Sequence, residues 1–449
     1  MDRALAIALA ALVIAIIGFG TIYAGISSLE TQLKEANSRI ASLQKEVKTL
    51  KEASSGYAST AQLEDVKSAL EAVLGDIKSM QDRLEKAATQ EDIQEIALEV
   101  ASLQEKLAIL EKLASEELQG QIEDLAMQLS KIQAEVQEIS AKINFPVIVT
   151  DATGDQVFIA SRPERIVSLA PAVTETLYFV GALDRLVGVD EYSDYPPEVL
   201  EMIDNGVIET IGGFWNPSVE KILALEPDLV IGVDAPPHRQ VKELLKDYGI
   251  PVVILPQNSI DDVRRSIVIV GMATGNMDRA IEVVGDLSRT LALVKTVADG
   301  VNDQVKVALI VWLNPIFVSG NDTFQNDIIE FAGGINAFGN MSGWPIISAE
   351  DLAAAKPDVI ILSNINVTDF LDALVNQLGD AVLEIPAVTN KRIYTITGDY
   401  ADMLSRPSPR ITQIIPLIQY ILYPQLYGAS PIDIPQVISP ETIPEIPQP

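Results

Sequence analysis

Glu220 and Glu350 stand at the same place in a pattern that the chain carries twice, SVEKILALEPDLVI at 218–231 and SAEDLAAAKPDVII at 348–361. Matched carboxylates on two copies of one unit can meet a matched pair of cations, and charge-assisted pairing of that kind sets register and partner choice. A docking surface for a partner with two-fold symmetry is therefore expected here. Little else in the chain is equipped for chemistry. The one histidine, His238, follows Pro236-Pro237 and is expected to be a solvated loop residue. A zinc or manganese site would require two or three histidines with a carboxylate. Cysteine is absent, which removes thiolate nucleophiles, thiolate metal sites, disulfides and lipid anchoring through a cysteine. With no nucleophile motif, glycine-rich phosphate loop or metal triad, the chain is not expected to be an enzyme, and no resident cofactor or metal is expected.

The elements that must carry the two glutamates follow from the same pattern. Ser218 and Ser348 are placed as helix N-caps, which puts each glutamate in a first turn, where the helix dipole favours negative charge. Each helix must stop before Pro227 or Pro357, because the residue before a proline is pushed out of the α region. Leu229-Val-Ile231 and Val359-Ile-Ile361 then read as short buried strands of a parallel sheet. The same helix–turn–strand unit built twice predicts two similar α/β lobes with a ligand held between them. The length, 449 residues, exceeds one ordinary domain, and a net charge of −31 repels nucleic acid and anionic lipid, so neither is expected as a ligand.

Upstream, residues 4–26 carry no charge and are long enough to span a bilayer, so 1–26 is expected to be a transmembrane anchor with the rest of the chain on the extracytoplasmic face of the cell membrane. Residues 27–143 follow a heptad: Leu29, Leu33, Ala36, Ile40 and Leu43 alternate four and three apart, and Ile93, Ile96, Val100, Leu103 and Leu107 do the same. The narrow stripe predicts a coiled-coil stalk that joins copies of the chain, reaching roughly 170 Å at about 1.5 Å per residue. The alternative is four helices folded back into a bundle. Strand signals alternate with helical ones from there on. They divide the chain into an N-terminal lobe at 144–259, one long bridging helix at 260–300 running through Gly271, Gly275 and Gly285, a C-terminal lobe at 301–427 and a Pro-rich tail at 428–449.

Further motifs carry a resemblance. Pro163-Glu-Arg-Ile-Val-Ser-Leu-Ala-Pro171, Thr174-Glu-Thr-Leu177, Gly188-Val-Asp190 and Tyr192-Ser-Asp-Tyr-Pro196 lie in the first lobe; Gly333-Gly-Ile-Asn336, Gly343-Trp-Pro345 and Arg406-Pro-Ser-Pro-Arg410 lie in the second. Together they resemble the substrate-binding proteins of ABC importers whose lobes are bridged by a single helix, and within that group its cobalamin-binding members. The resemblance spans about 147–425 and leaves out the stalk and tail. It implies a corrinoid ligand, an ABC permease dimer as partner, cleft aromatics at Tyr195, at Phe214 or Trp215, at Phe317 and at Trp344, a polar cleft pair at Asp402 and Arg406, and docking glutamates at Glu220 and Glu350. A corrinoid is a large, nearly planar ring fringed with amides: flat aromatic side chains suit its faces, and a carboxylate and a guanidinium four residues apart can accept from and donate to its amides. One position departs from the pattern: Val233 stands where a tryptophan is expected, which removes one stacking wall. Haem, with Tyr192 or Tyr195 as axial ligand, or a ferric siderophore is the alternative ligand. The rival of a different class is a structural cell-surface or filament protein that reuses the binding fold.

Overall fold

Apolar runs of three to five residues are strands covered on both faces when helices flank the sheet, and such runs form the centre of this fold. The computed structural model describes residues 145–426 except 302, and the helical positions 96, 98–100, 103, 127, 128, 130 and 131. Contacts divide the chain between Lys142 and Ile143 into two units. In the first, Ile96, Val100 and Leu103 of the heptad stripe are helical and buried. The rest of the expected stalk, the expected anchor at 4–26 and the Pro-rich tail lie outside the described residues. Among the described residues no helix is long and apolar enough to cross a membrane.

The second unit opens with an antiparallel hairpin, Val147–Thr150 with Gln156–Ile159. Its buried Asp151 accepts from the Lys242 ammonium at 2.7 Å and from the Ile254 amide at 3.1 Å, which pins the hairpin turn to the first lobe. That lobe is a five-stranded parallel sheet in the order Glu209–Thr210, Leu186–Val189, Ile166–Ser168, Leu229–Val233, Val252–Leu255. Val167, Leu169, Ile222, Val230, Val241 and Ile254 form its core. The second lobe is a six-stranded sheet that orders five of its strands Ile346–Ile347, Ile316–Val318, Lys306–Trp312, Val359–Ser363, Ile393–Ile396, with Ile335–Asn336 pairing in parallel with Lys306–Trp312 off that path. Of those five, the last three are parallel, whereas the first two run antiparallel to their neighbours. The lobes thus share a parallel three-strand core and differ on its flank.

The repeated unit is placed identically in both lobes. Ser218 accepts from the Lys221 amide, and Ser348 and Asp351 cap each other's amides reciprocally. The helices end at Ala224 and Ala355, and Glu226 and Lys356 then take left-handed φ values of 46° and 49° before the prolines. The aspartate after each proline is a clamp. Asp228 accepts from the amides of Glu164 and Arg165 at 2.8 and 2.9 Å, and Asp358 accepts from the amide of Lys306 at 2.9 Å. In return, the Arg165 guanidinium donates to the carbonyl of Leu225 at 2.6 Å and the Lys306 ammonium to that of Ala355 at 3.1 Å. Each unit therefore fastens its helix end to the start of the neighbouring strand.

The expected single bridging helix is corrected to two helices, Ile260–Thr274 and Met277–Asp299. Gly275 adopts a φ of 70°, and its amide and that of Asn276 close on the carbonyls of Met272 and Gly271. This is a left-handed helix stop that glycine makes at little cost. The two helices pack against each other, and a Cβ on Gly271 would sit 2.4 Å from that of Ala280, so glycine permits the close approach. Both helices link the lobes: Ile260–Thr274 touches Pro171–Phe179 of the first and Phe324–Phe331 of the second, and Met277–Asp299 touches Pro171–Phe179 and Ile411–Leu422.

Candidate functional site

In open α/β sheets ligands bind beyond the carboxyl ends of the strands, and Tyr195 and Phe214–Trp215 follow strands of the first lobe. After Leu186–Val189, Asp190 is fully buried and organises the next turn. It accepts from the Ser193 hydroxyl at 2.5 Å and from the Tyr192 amide at 3.1 Å. Thr174 lies 2.8 Å from both the Ser193 and the Ser168 hydroxyls, tying that turn to the neighbouring strand. Burial pushes the Asp190 carboxyl up to about 6, against the pull of those two hydrogen bonds. The network presents Tyr195, which stacks on Phe179 (6.4 Å between ring centres, 16° between planes) and meets Tyr178 edge-on.

The second lobe reaches across to this turn. Arg406-Pro-Ser-Pro-Arg410 sends three side chains to one carboxylate, Glu175, which lies fully buried in the helix Pro171–Phe179. Arg406 Nη1 donates to it at 3.0 Å, Ser408 Oγ at 2.5 Å and Arg410 Nη1 at 3.2 Å. Arg406 also pairs with Asp194 at 2.6 Å and Asp402 at 3.3 Å and donates to the Tyr192 carbonyl at 3.2 Å. Burial opposes its charge, yet Asp194, Asp402 and Glu175 outweigh it and raise its pKa. The guanidinium carbon of Arg410 lies over the Tyr195 ring, 3.8 Å from its centre, a desolvated cation–π contact. The expected polar pair Asp402–Arg406 is thus brought together, with the guanidinium committed to protein carboxylates between the lobes and Asp402 half-exposed at the rim. Glu175 and Arg410 were not singled out from the sequence. The signal was one carboxylate inside an otherwise uncharged helix and two arginines bracketing a serine.

Also in the first lobe, Phe214 and Trp215 meet edge-on at 5.0 Å, and Trp215 is 74% exposed. His238, expected in solvent, is fully buried. Its ring lies 4.6 Å from that of Phe214; Nδ1 accepts from the Val233 amide at 3.1 Å, so Nε2 carries the proton and donates to the Phe214 carbonyl at 3.2 Å. Burial pushes its pKa down to about 4. The correction has a clear cause: Pro236 and Pro237 start the helix Pro236–Lys246, and that helix turns the imidazole inward beneath the Phe214 loop. Val233 itself is buried and contributes no stacking wall.

In the second lobe, Phe317 is half-buried and Trp344 is 42% exposed. The register pairs Phe317 with Ile346 on one side and with Trp312 on the other. Ile316, Val318 and Ile347 point into the core, so Phe317, Ile346 and Trp312 occupy the opposite face. Strict alternation would have turned Trp312 to the core side with Ile310. One extra residue in the strand between them shifts the register, a bulge that re-aims the indole. Glu220 and Glu350 are exposed in the first turns of their equivalent helices. Among the described residues no group of three His, Cys, Asp or Glu side chains could hold a metal ion.

Two α/β lobes joined through two helices, with their carboxyl edges brought together by a buried ionic cluster, define a bilobal binding protein. The periplasmic binding protein family matches residues 166–400, more than half of the chain, and the chain belongs to that family. An uncharacterized ABC transporter substrate-binding lipoprotein of Bacillus subtilis is 29% identical over 63% of this chain and 87% of its own. The vitamin B12-binding protein of Vibrio parahaemolyticus is 28% identical over 57% of this chain and 89% of its own. The crystallised periplasmic haem-binding protein of Roseiflexus superposes with a TM-score of 0.51 at 27% identity, covering 59% of this chain and 99% of its own. The protein is a substrate-binding protein of the ABC-importer type, and its family is in general non-enzymatic.

Proposed function

We propose that this protein captures a corrinoid on the extracytoplasmic side of the membrane, where its N-terminal segment anchors it, and hands the ligand to the permease pair of an ABC importer. The observation that carries the reading is the distribution of flat side chains. Tyr195 and Phe214–Trp215 follow strands of the first sheet, Phe317 lies with Trp312 on the face of the second sheet away from its core, Trp344 stands in the loop before Ile346–Ile347, and all three tryptophans of the chain are exposed, at 74, 62 and 42%. Exposed aromatics on both lobes suit the two faces of a large planar ring. Asp402 and Asp194, half-exposed beside Arg406, suit a fringe of amide donors.

Haem is the second reading, supported by the haem-binding relative and by two tyrosines at the site. A tyrosine binds ferric iron as the phenolate. The hydrogen bond and charge of Glu191 raise the pKa of Tyr192, and burial raises that of Tyr195. Both effects hold the phenol protonated and favour a ligand that needs no tyrosinate. Calorimetric titration of the full-length protein with cyanocobalamin and, separately, haemin tests the assignment. The expected outcome is 1:1 binding of cyanocobalamin. Saturable binding of haemin with no heat from cyanocobalamin would replace the corrinoid with haem.

A further inference from the structure

We infer that Trp312, flanked through Phe317 by Ile346, forms a preorganised platform in the second lobe on which one flat face of the ligand rests, standing in for the wall that Val233 does not supply. The inference rests on the proposed reading that the ligand is a planar macrocycle. Phe317 is one of the positions that the resemblance assigns to the ligand. Trp312 is its register partner on the adjacent strand. Directly opposed residues of an antiparallel pair have Cβ atoms about 4.5–5.5 Å apart on the same face, so a ring wider than a single side chain cannot cover Phe317 and avoid Trp312. Ile346 opposes Phe317 from the other edge and completes a three-strand row. Trp312 and Ile346 are 62 and 57% exposed.

Two features single the row out from scattered surface apolar residues. First, the indole faces outward only because the strand carries one extra residue between Ile310 and Trp312, and bulges recur where a side chain must be re-aimed beside a site. Second, the Trp312 Nε1–H donates to the carbonyl of Asn314 at 3.0 Å. That bond fixes the ring before any ligand arrives and lowers the ordering cost of binding. At the expected first-lobe position, in contrast, Val233 is buried and its amide is held by His238. The flat contact has thus moved from one lobe to the other.

The test uses the full-length protein with cyanocobalamin and haemin as probes. For whichever ring the wild-type protein binds, Trp312→Ala is expected to weaken binding by about tenfold or more, and Trp312→Phe to recover most of it. In hydroxyl-radical footprinting, oxidation of Trp312 should fall when the ligand is added, while Leu200 and Leu244, exposed on outer helices, should react as before. Wild-type affinity in Trp312→Ala, with oxidation of Trp312 unchanged by ligand, would overturn the platform and leave the macrocycle reading standing. Failure of the wild-type protein to bind either ring would overturn both.

Discussion

Glu175 is the residue on which the two lobes converge. It is fully buried and takes donors from Arg406, Ser408 and Arg410, which lie 231 to 235 residues further along the chain. A buried carboxylate with two guanidinium partners contributes less by its own attraction than it costs to remove, because deleting one charge strands the others in a low dielectric. Glu175→Gln is therefore expected to destabilise the protein by about 3–5 kcal/mol, read as a shift of the denaturation midpoint at constant slope. A loss of less than about 1 kcal/mol, the range of exposed pairs, would show that the arginines relax into solvent. Sequence reading passed over Glu175 because a helical carboxylate is ordinarily solvated, and its partners share no local spacing with it. The same limit misplaced His238. Its neighbours in the chain are prolines and charged residues, while its surroundings in space are Phe214 and Val233.

At the scale of elements, the helix Ile260–Thr274 and the helix Phe324–Phe331 meet at a carboxyl group. Asp327 accepts from the Ile260 amide at 2.8 Å, a donor left open at a helix start. Burial first, then the neighbouring Glu330, Asp261 and Asp262, push its pKa up to about 7. The folded state therefore holds this proton more tightly than the unfolded chain does. The resulting stabilisation is complete below the unfolded value near 4 and is lost as pH rises through about 7. Asp327→Asn keeps an acceptor for Ile260 but cannot ionise. Relative to the wild type, it should gain stability steadily in thermal melts between pH 4 and 8, and a constant difference across that range would remove Asp327 from the pH response. The break between the two bridging helices belongs to this scale as well. Gly271, Gly275 and Gly285 all interrupt the same apolar periodicity. Only Gly275, followed by Asn276, turns left-handed, and neither composition nor period separates a tolerated glycine from a helix stop.

For the whole molecule, the internal repeat places one exposed carboxylate at the same point of each lobe. Glu220 and Glu350 are exposed in equivalent first turns, each helix clamped to its sheet through Asp228 or Asp358. With docking proposed at these two carboxylates, Glu220→Ala combined with Glu350→Ala is expected to abolish import. Each lost charge would cost about 2–5 kcal/mol at a buried ion pair with the permease. Neither residue belongs to the aromatic set, so corrinoid affinity should stay within about twofold, a difference below 1 kcal/mol. Uptake into proteoliposomes beside calorimetry of the same variants measures both, and wild-type uptake by the double variant would reduce the two glutamates to helix-start charges.

What the sequence by itself determined is what local chemistry dictates. Serine caps, prolines after helices and short apolar runs define the two repeated units, the strands around them and the α/β class, because capping, φ restriction and strand burial act within a few residues. The family's motifs nominate Tyr195, Phe214 or Trp215, Phe317, Trp344 and the pair Asp402–Arg406, which the proposed function takes as ligand contacts. The tertiary structure alone decided which groups face each other: Glu175 beneath two arginines 231 and 235 residues further along, His238 beneath Phe214, and Trp312 beside Phe317. These depend on register and on desolvation, and one extra residue in a strand reverses which face a side chain occupies, a change that no periodicity in the strand itself records.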